Sequence, residues 1–74
     1  MSPLTTVKII ELVGSSPHSW QDAVKVAVKD TSKTIRNLQG VDVLGHTAVV
    51  KDGEIVEYRA TMRVSFKVEE NRTK

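Results

Sequence analysis

The stretch that decides the fold is VEYRATMRVSFKVE, residues 56–69, in which apolar and polar side chains alternate without interruption. Its apolar members are Val56, Tyr58, Ala60, Met62, Val64, Phe66 and Val68. Because successive side chains of a β-strand point to opposite faces, this pattern predicts one long strand with an apolar face and a polar face. At ~3.3 Å per residue, a strand of about 13 residues spans about 43 Å.

Two further strands are predicted upstream of it. Residues 5–13, TTVKIIELV, are rich in β-branched apolar side chains, and we expect Gly14 to end this first strand. Residues 41–51, VDVLGHTAVVK, have the same character. The dipeptide Asp52-Gly53 is a hairpin turn signal, so the strand at 41–51 should connect directly to the long last strand.

Between the first two strands, six residues that are apolar except for one threonine recur at helical spacing over about 20 residues: Trp20, Val24, Ala27, Thr31, Ile35 and Leu38. Two starts compete for this helix. In one, Ser16 is the N-cap and Pro17 takes the first helical position. In the other, Ser19 is the N-cap and Asp22 follows three residues on. We expect Gly40 to stop the helix in a left-handed conformation.

The order β-α-β-β restricts the topology of this single domain, residues 1–74. A right-handed crossover leaves the first two strands parallel, and the hairpin makes the third antiparallel to the second. Both conditions are met when the third strand lies in the middle. We therefore predict an α+β fold with a three-stranded sheet, antiparallel or mixed, in the order 1-3-2, wrapped by one long helix. That helix, about 30 Å long, is shorter than the last strand, so another copy of the chain is expected to cover the remainder.

Composition excludes several classes of protein. The 74 residues include no cysteine, which rules out disulfide scaffolds, thiol nucleophiles and cysteine zinc sites. Lys8 and Glu11 interrupt the apolar runs near the start, so we predict neither a signal peptide nor a membrane span and expect a cytoplasmic protein. The net charge of +2 is too small to indicate nucleic-acid binding. Apolar burial on the order of 110 kcal/mol is offset by an ordering cost of about the same size, which favours oligomerisation.

The arrangement of these motifs resembles the dodecin family. The residues that carry the resemblance are Ile9-Ile10-Glu11-Leu12-Val13-Gly14-Ser15-Ser16-Pro17, then Tyr58, and then Val64-Ser65-Phe66-Lys67-Val68-Glu69. Dodecins are small βαββ proteins that assemble into hollow dodecamers and bind flavins such as riboflavin, lumichrome or FMN. They are not enzymes. The resemblance therefore implies a homododecamer that binds or stores a flavin-type small molecule without catalysis.

Two positions depart from the family pattern. Typical dodecins carry a flavin-stacking Trp where this chain has Gly40, and a Gln where it has Arg59. In the family, the flavin ring is held between two such indoles. The loss of both stacking partners, at ~1–3 kcal/mol each, corresponds to a drop in affinity of about two to four decades. We therefore expect a degenerate pocket with weak or lost flavin affinity. Its remaining contacts would come from Arg59, with Gly45 and His46 lining the side of the second strand.

The segment Ser16-Pro17-His18-Ser19-Trp20 resembles a dodecin-like subgroup that lacks the stacking Trp and has been described as calcium-binding. This resemblance implies an alternative function: a structural or ion-binding assembly without flavin. The sequence has no contiguous Asp- and Asn-rich loop. A calcium site would have to be assembled between subunits from residues such as Asp42, Asp52, Glu54 or Glu57.

The histidines, the Trp and the polar residues of the helix start have simpler interpretations that we favour. Trp20 is expected to pack in the core or at a subunit interface rather than to contact ligand. His18 and His46 fit capping or solvent-facing roles better than metal ligation. Ser16, His18 and Asp22 resemble a hydrolytic trio, but capping explains all three residue types at a helix start.

The basic side chains are interpreted as solvated or as assembly contacts. The helix carries a lysine stripe, Lys25, Lys29 and Lys33, that we interpret as a solvated face. The polar face of the last strand carries Arg59, Arg63 and Lys67 together with Glu57 and Glu69. On this face we favour salt-bridged assembly over anion binding.

Overall fold

The computed structural model describes residues 6–68 and contains four elements. They are β1 (Val7–Ser16), α1 (Trp20–Ser32), β2 (Leu38–Lys51) and β3 (Glu54–Lys67). The three strands form one sheet in the order β1-β3-β2, in which both outer strands pair antiparallel to β3. The predicted fold class and strand order are confirmed. Thr5 and Glu69, at the ends of two predicted strands, lie outside the described residues.

The sheet has two distinct faces, which the alternation of β3 defines. Ala60, Met62 and Val64 point to the side on which α1 lies, and all three are buried. We call this side the helix face. Arg59, Thr61, Arg63, Ser65 and their partners on the outer strands point away from α1, and we call that side the open face. Because residues paired across strands share a face, the register also shows on which face each paired residue of β1 and β2 lies.

The core is small and lies between α1 and the middle of β3. Ala23 and Ala27 of the helix are buried against the three apolar residues of β3. Four partly buried side chains surround this cluster: Ile10, Leu12, Val24 and Leu38. The helix lies mainly over β1 and β3 and makes few contacts with β2. Much of the helix face of β2 is therefore left without cover.

Gly14 does not end the first strand as predicted, because β1 continues through it to Ser16, opposite Tyr58. Gly14 is buried on the helix face beneath α1. A Cβ atom at this position would overlap the backbone carbonyl of Ala23 and lie 2.9 Å from the Cβ of Ala27. The role of this glycine is thus to permit close approach of helix and strand, and not to break the strand.

The helix start follows the second of the two predicted alternatives. Ser19 is the N-cap in an extended conformation, and its hydroxyl accepts a hydrogen bond from the N–H of Asp22 at 3.0 Å. The hydroxyl of Ser16 donates to the Asp22 carboxylate at 2.7 Å and accepts from the N–H of His18 at 2.9 Å. The three residues that resemble a hydrolytic trio are therefore joined by hydrogen bonds at the helix start.

The helix is shorter than predicted and ends at Ser32 after 13 residues, about 20 Å at 1.5 Å per residue. Leu38, the last residue of the predicted helical stripe, already belongs to β2 and pairs with Phe66. Asn37 has the left-handed conformation, with φ of 64°. Gly40 was predicted to stop the helix, but it lies within β2 opposite Ser65. Pairing of Leu38 and Gly40 with β3 gives their backbone groups strand partners and outweighs the helical pattern.

The predicted hairpin is confirmed. Asp52 and Gly53 both have positive φ, 52° and 78°, as a two-residue turn of type I′ requires. The strands on each side of the turn extend well beyond the helix, and the described chain measures 59 × 20 × 13 Å. Such an elongated shape leaves the far end of the hairpin without any covering layer.

We expect Gly14→Ala to lower the free energy of unfolding by about 1–3 kcal/mol, because the added methyl group overpacks the contact between β1 and α1. Urea denaturation at a fixed subunit concentration measures this loss. Gly45→Ala is the matched control, since a Cβ there meets nothing within 4 Å and should change stability by less than ~0.5 kcal/mol. Equal effects of the two substitutions would contradict the assigned role of Gly14.

Candidate functional site

The open face carries three of the residues predicted to bind cofactor: Gly40, Gly45 and Arg59. Gly40 pairs with Ser65, Gly45 pairs with Thr61, and Arg59 is on the same side of β3. Gly45 and Arg59 are therefore near neighbours. Four residues of β3 separate the position opposite Gly40 from the position opposite Gly45, a distance of about 13 Å. Within one chain, Gly40 thus lies on the same face as Gly45 and Arg59 but apart from them.

A depression of about 300 Å³ lies beside Gly40. Its lining residues on the open face form two rows that run across the sheet. In the first row, Ile9, Ser65 and Gly40 are paired neighbours on β1, β3 and β2. A Cβ at Gly40 would stand 3.4 Å from the Ser65 hydroxyl. The missing side chain therefore leaves open space next to an apolar and a polar neighbour.

The second row is charged. Arg63 on β3 stands between Glu11 on β1 and Asp42 on β2. The Nε atom of Arg63 donates to a carboxylate oxygen of Glu11 at 3.3 Å, and both side chains remain more than half exposed. A solvent-exposed pair of this kind contributes little to stability. The guanidinium group of Arg63 therefore stays available to a ligand that lies over the depression.

Arg59 belongs to a different group of polar residues on the open face. Its Nε atom lies 3.5 Å from a carboxylate oxygen of Glu57, two residues back on the same strand. The Ser15 hydroxyl, which hydrogen-bonds the carboxylate, and the positive charge of Arg59 hold the pKa of Glu57 below its usual value. The charge of Arg59 is thus partly balanced within its own chain.

His46 is on the helix face, opposite to the other three predicted site residues. Its ring stacks on the indole of Trp20, with ring centres 5.4 Å apart. Tyr58 meets the same indole edge-on at 4.8 Å. The indole Nε1–H donates to the backbone carbonyl of Thr47 at 2.8 Å. These contacts fix Trp20 between α1 and β2 as part of an aromatic cluster, in agreement with its predicted packing role.

The carboxylates considered for calcium do not gather in one place. Asp42 faces Arg63, Glu57 pairs with Arg59, and Asp52 and Glu54 lie at the hairpin turn. Within residues 6–68, no three His, Asp or Glu side chains are grouped so as to hold a metal ion. Among the same residues, no helix has the length and apolar character needed to cross a membrane.

Sequence reasoning missed Ile9, which lines the Gly40 depression, and Glu11, which bonds the lining residue Arg63. Both come from β1, about 30 residues before Gly40 in the chain. Only the register, Ile9 with Ser65 and Glu11 with Arg63, brings them to the site. The alternation of the first predicted strand could have assigned both residues to one face, but it carried no information on which residues of β3 they meet.

This structure has the architecture of a small βαββ protein with a ligand-sized depression on its uncovered sheet face, and comparisons assign it to a family. The family model described as Dodecin matches residues 6–69. A calcium dodecin of Mycobacterium tuberculosis is 28% identical over 65 residues, covering 88% of this chain and 92% of the relative. The dodecin of Thermus thermophilus is 30% identical over 63 residues, covering 85% and 91%. The chain belongs to the dodecin family.

Solved structures agree with this assignment. The dodecin of Streptomyces coelicolor superposes with a TM-score of 0.87 at 30% identity, covering 90% of this chain and 96% of that one. The calcium-chelating antigen calcium dodecin of Mycobacterium tuberculosis superposes with a TM-score of 0.78 at 28% identity, covering 93% and 99%. The resemblance to dodecins and to the calcium-dodecin subgroup is therefore confirmed.

We expect Ser15→Ala to raise the pKa of Glu57 toward its ordinary value, since the neutral hydroxyl stabilises the ionised carboxylate. A carboxyl-carbon NMR titration measures the change. Because the folded pKa is the lower one, the stabilisation is present above the unfolded pKa and is lost as the pH falls through the folded pKa. Ser65→Ala, at the far end of the same face, is the control. A Glu57 titration identical in both variants and the wild type would contradict the assigned cause.

Proposed function

We propose that this protein is a homododecameric shell that binds a flavin-type small molecule weakly on the open face of its sheets and performs no catalysis. The observation that carries the proposal is the depression beside Gly40, where a ligand-sized space adjoins Ile9, Ser65 and Arg63. Membership of the dodecin family supports it.

The shape of the site favours a flat ligand. The first row of the depression consists of Ile9, Ser65 and Gly40, one residue from each strand. It is flat at Gly40, because glycine has no side chain. A planar ring system could lie over this row and place polar ring atoms near the Ser65 hydroxyl. Arg63 could donate hydrogen bonds to a carbonyl or phosphate oxygen at the edge of the ring, as a guanidinium group does well.

One copy of the chain covers only one side of such a ring, so the proposed site needs a second copy. Three apolar side chains on the open face of β1 support assembly there. Val7, Ile9 and Val13 are 47%, 60% and 61% exposed in the single chain. Apolar groups gathered on one face of a soluble protein commonly mark an interaction surface. In the proposed shell, these groups are buried between copies and also exclude water from the ligand.

The proposed affinity is weak because no aromatic ring faces the ligand at Gly40. The other predicted contacts are more distant. Gly45 and Arg59 would meet only a part of the ligand that extends along β2, such as a side chain carrying a phosphate. His46 lies on the helix face and could meet an open-face ligand only from another copy. The catalytic alternative has no support, since the Ser16 hydroxyl is buried and bonded to Asp22.

A calcium-binding assembly is the second candidate, favoured by the calcium dodecin of Mycobacterium tuberculosis, which resembles this chain in both sequence and fold. The described part of one chain does not gather the carboxylates required. The ion would therefore have to lie between copies. Isothermal titration of calcium into chelator-treated protein tests this candidate: heat that saturates at an integral fraction per subunit supports calcium, and the absence of such heat contradicts it.

The site at Gly40 can be tested by restoring the missing ring. Gly40 lies in a strand without positive φ, so a larger residue is compatible with its backbone. We expect Gly40→Trp to raise the affinity for riboflavin and FMN at least tenfold, since one stacking partner contributes ~1–3 kcal/mol. Quenching of flavin fluorescence on titration measures both dissociation constants.

Gly40→Leu is the matched control, because it fills the same space with an apolar group that cannot stack. We expect its affinity to stay within about threefold of the wild type, less than ~0.7 kcal/mol. If Gly40→Trp folds and assembles but gains no affinity, the ligand does not lie over Gly40. Micromolar or tighter flavin binding by the wild type would contradict the claim that the missing ring weakens the site.

A further inference from the structure

Both arginines on the open face have carboxylates beside them. The Nε atom of Arg63 donates to Glu11 at 3.3 Å, and Asp42 is the neighbour of Arg63 on the other side of the row. The Nε atom of Arg59 lies 3.5 Å from a carboxylate oxygen of Glu57. The two guanidinium groups are therefore hydrogen-bond donors whose positive charges are already matched within the same chain.

The row that contains Arg63 carries more negative than positive charge. Two carboxylates, those of Glu11 and Asp42, flank one guanidinium group, so the row as a whole is negative. The neighbouring rows on the open face, which contain Thr61 and Ser65, have no charged members. Nothing beside the row of Arg63 therefore offsets its second carboxylate.

Lys67 is the next cation along β3 beyond Ser65. It lies at the end of the sheet and lines a separate depression together with Arg36 and Phe66. That depression shares no lining residue with the one beside Gly40. Lys67 is therefore not part of the candidate site, and a variant at this position can show whether its charge matters there.

An uncharged flavin and a phosphorylated flavin place different demands on such a site. A ring carbonyl oxygen needs an N–H donor, which Arg63 supplies whether or not its charge is balanced. A phosphate group carries about two negative charges at neutral pH, and it gains most from a cation that has no other partner. Beside Glu11 and Asp42, the phosphate would instead meet charges of its own sign, which repel it.

We propose that Glu11 and Asp42 determine which flavin the open face accepts, because they favour an uncharged ring compound such as riboflavin over one that carries a phosphate. Arg63 orients the ring through hydrogen bonds, and the two carboxylates repel the phosphate. Both residues act at the depression beside Gly40, so this proposal rests on the proposed function and adds specificity-determining residues to the same site.

Assembly should strengthen this selectivity. In the proposed shell, a second copy that covers the ring with its own open face brings an identical row of charges. The net negative charge around the ligand is then doubled and not cancelled, because identical surfaces carry the same excess of carboxylates. The selectivity is therefore a property to measure on the assembled protein.

The ratio of two dissociation constants tests the proposal. Riboflavin and FMN are each titrated with the wild type and with Gly40→Trp, whose added ring should tighten the binding of both, and quenching of flavin fluorescence is followed. We expect riboflavin to bind at least about fivefold more tightly than FMN to each protein. Native mass spectrometry of the same samples confirms that both proteins are assembled.

Removal of charge without a change of shape assigns the selectivity to the two carboxylates. The double variant E11Q/D42N keeps the shapes of both side chains but turns the row from negative to positive. We expect FMN to bind at least about tenfold more tightly to this variant than to the wild type, and the affinity for riboflavin to change by less than about threefold. The same double substitution is also made in Gly40→Trp.

Glu54→Gln is the matched control. It removes the same charge at the hairpin turn, about 30 Å from Arg63 along β3, and should leave both dissociation constants unchanged. If riboflavin is preferred but E11Q/D42N leaves the ratio as it is, the phosphate is excluded by shape and the proposal is overturned.

The remaining outcomes separate this proposal from the proposed function. If riboflavin and FMN bind equally well, the flavin site stands and the selectivity is wrong. If FMN binds more tightly than riboflavin, the selectivity is also wrong, and loss of that advantage in Lys67→Gln would place the phosphate at the end of the sheet. If neither flavin binds to the wild type or to Gly40→Trp, both proposals fall.

Discussion

The close contact between α1 and β1 is the constraint on which the rest of the structure depends. Gly14 lets the backbone of the helix approach the strand, and Ala23 and Ala27 present small side chains to that approach. A helix held so near the sheet buries Met62 and Val64 completely, although both sides contribute few large residues. Because the contact is made by small residues at fixed positions, the helix can sit at only one place on the sheet.

That placement leaves a defined set of apolar side chains in water. Apart from Val26 of the helix, they fall into three groups, on the open face of β1 (Val7, Ile9, Val13), on β2 (Val41, Val43, Leu44) and at the end of the β2–β3 hairpin (Val50, Ile55, Val56). A helix of about 20 Å cannot cover strands of 14 residues, which span over twice that length. The open face, proposed for ligand and for neighbouring copies, is left uncovered because α1 lies on the other side of the sheet, and the far end of the hairpin because the helix is too short to reach it.

Several features of the fold follow from local chemistry and were predictable. The strict alternation of β3, the Asp52-Gly53 turn and the capping serines each depend on residues within a few positions of one another. The end of the helix was not predictable in this way. Leu38 continues the helical spacing of apolar residues, but its position opposite Phe66 gives its backbone a strand partner. Local pattern and long-range pairing disagreed there, and the pairing prevailed because it satisfies the backbone of an entire strand.

The candidate site also shows the difference between what the local pattern predicts and what the long-range pairing decides. Gly40 and Gly45 are five residues apart, so regular alternation would put them on opposite faces, yet both lie on the open face. The difference comes from a bulge between Val43 and Gly45, one of three irregularities in the pairing of β2. His46 consequently turns to the helix face, where the aromatic cluster holds it. A bulge is invisible to a count along one strand, because it exists only relative to the partner strand.

The sequence by itself determined the elements, their order, the sheet topology and the absence of an aromatic ring at Gly40. These depend on side-chain periodicity, turn chemistry and the identity of single residues, all of which can be read along the chain. Only the tertiary structure decided where the helix ends, which residue of β1 lines the Gly40 depression and which face His46 takes. Those outcomes depend on the register between strands distant in sequence, and register is set by the combined pairing and packing of the whole sheet.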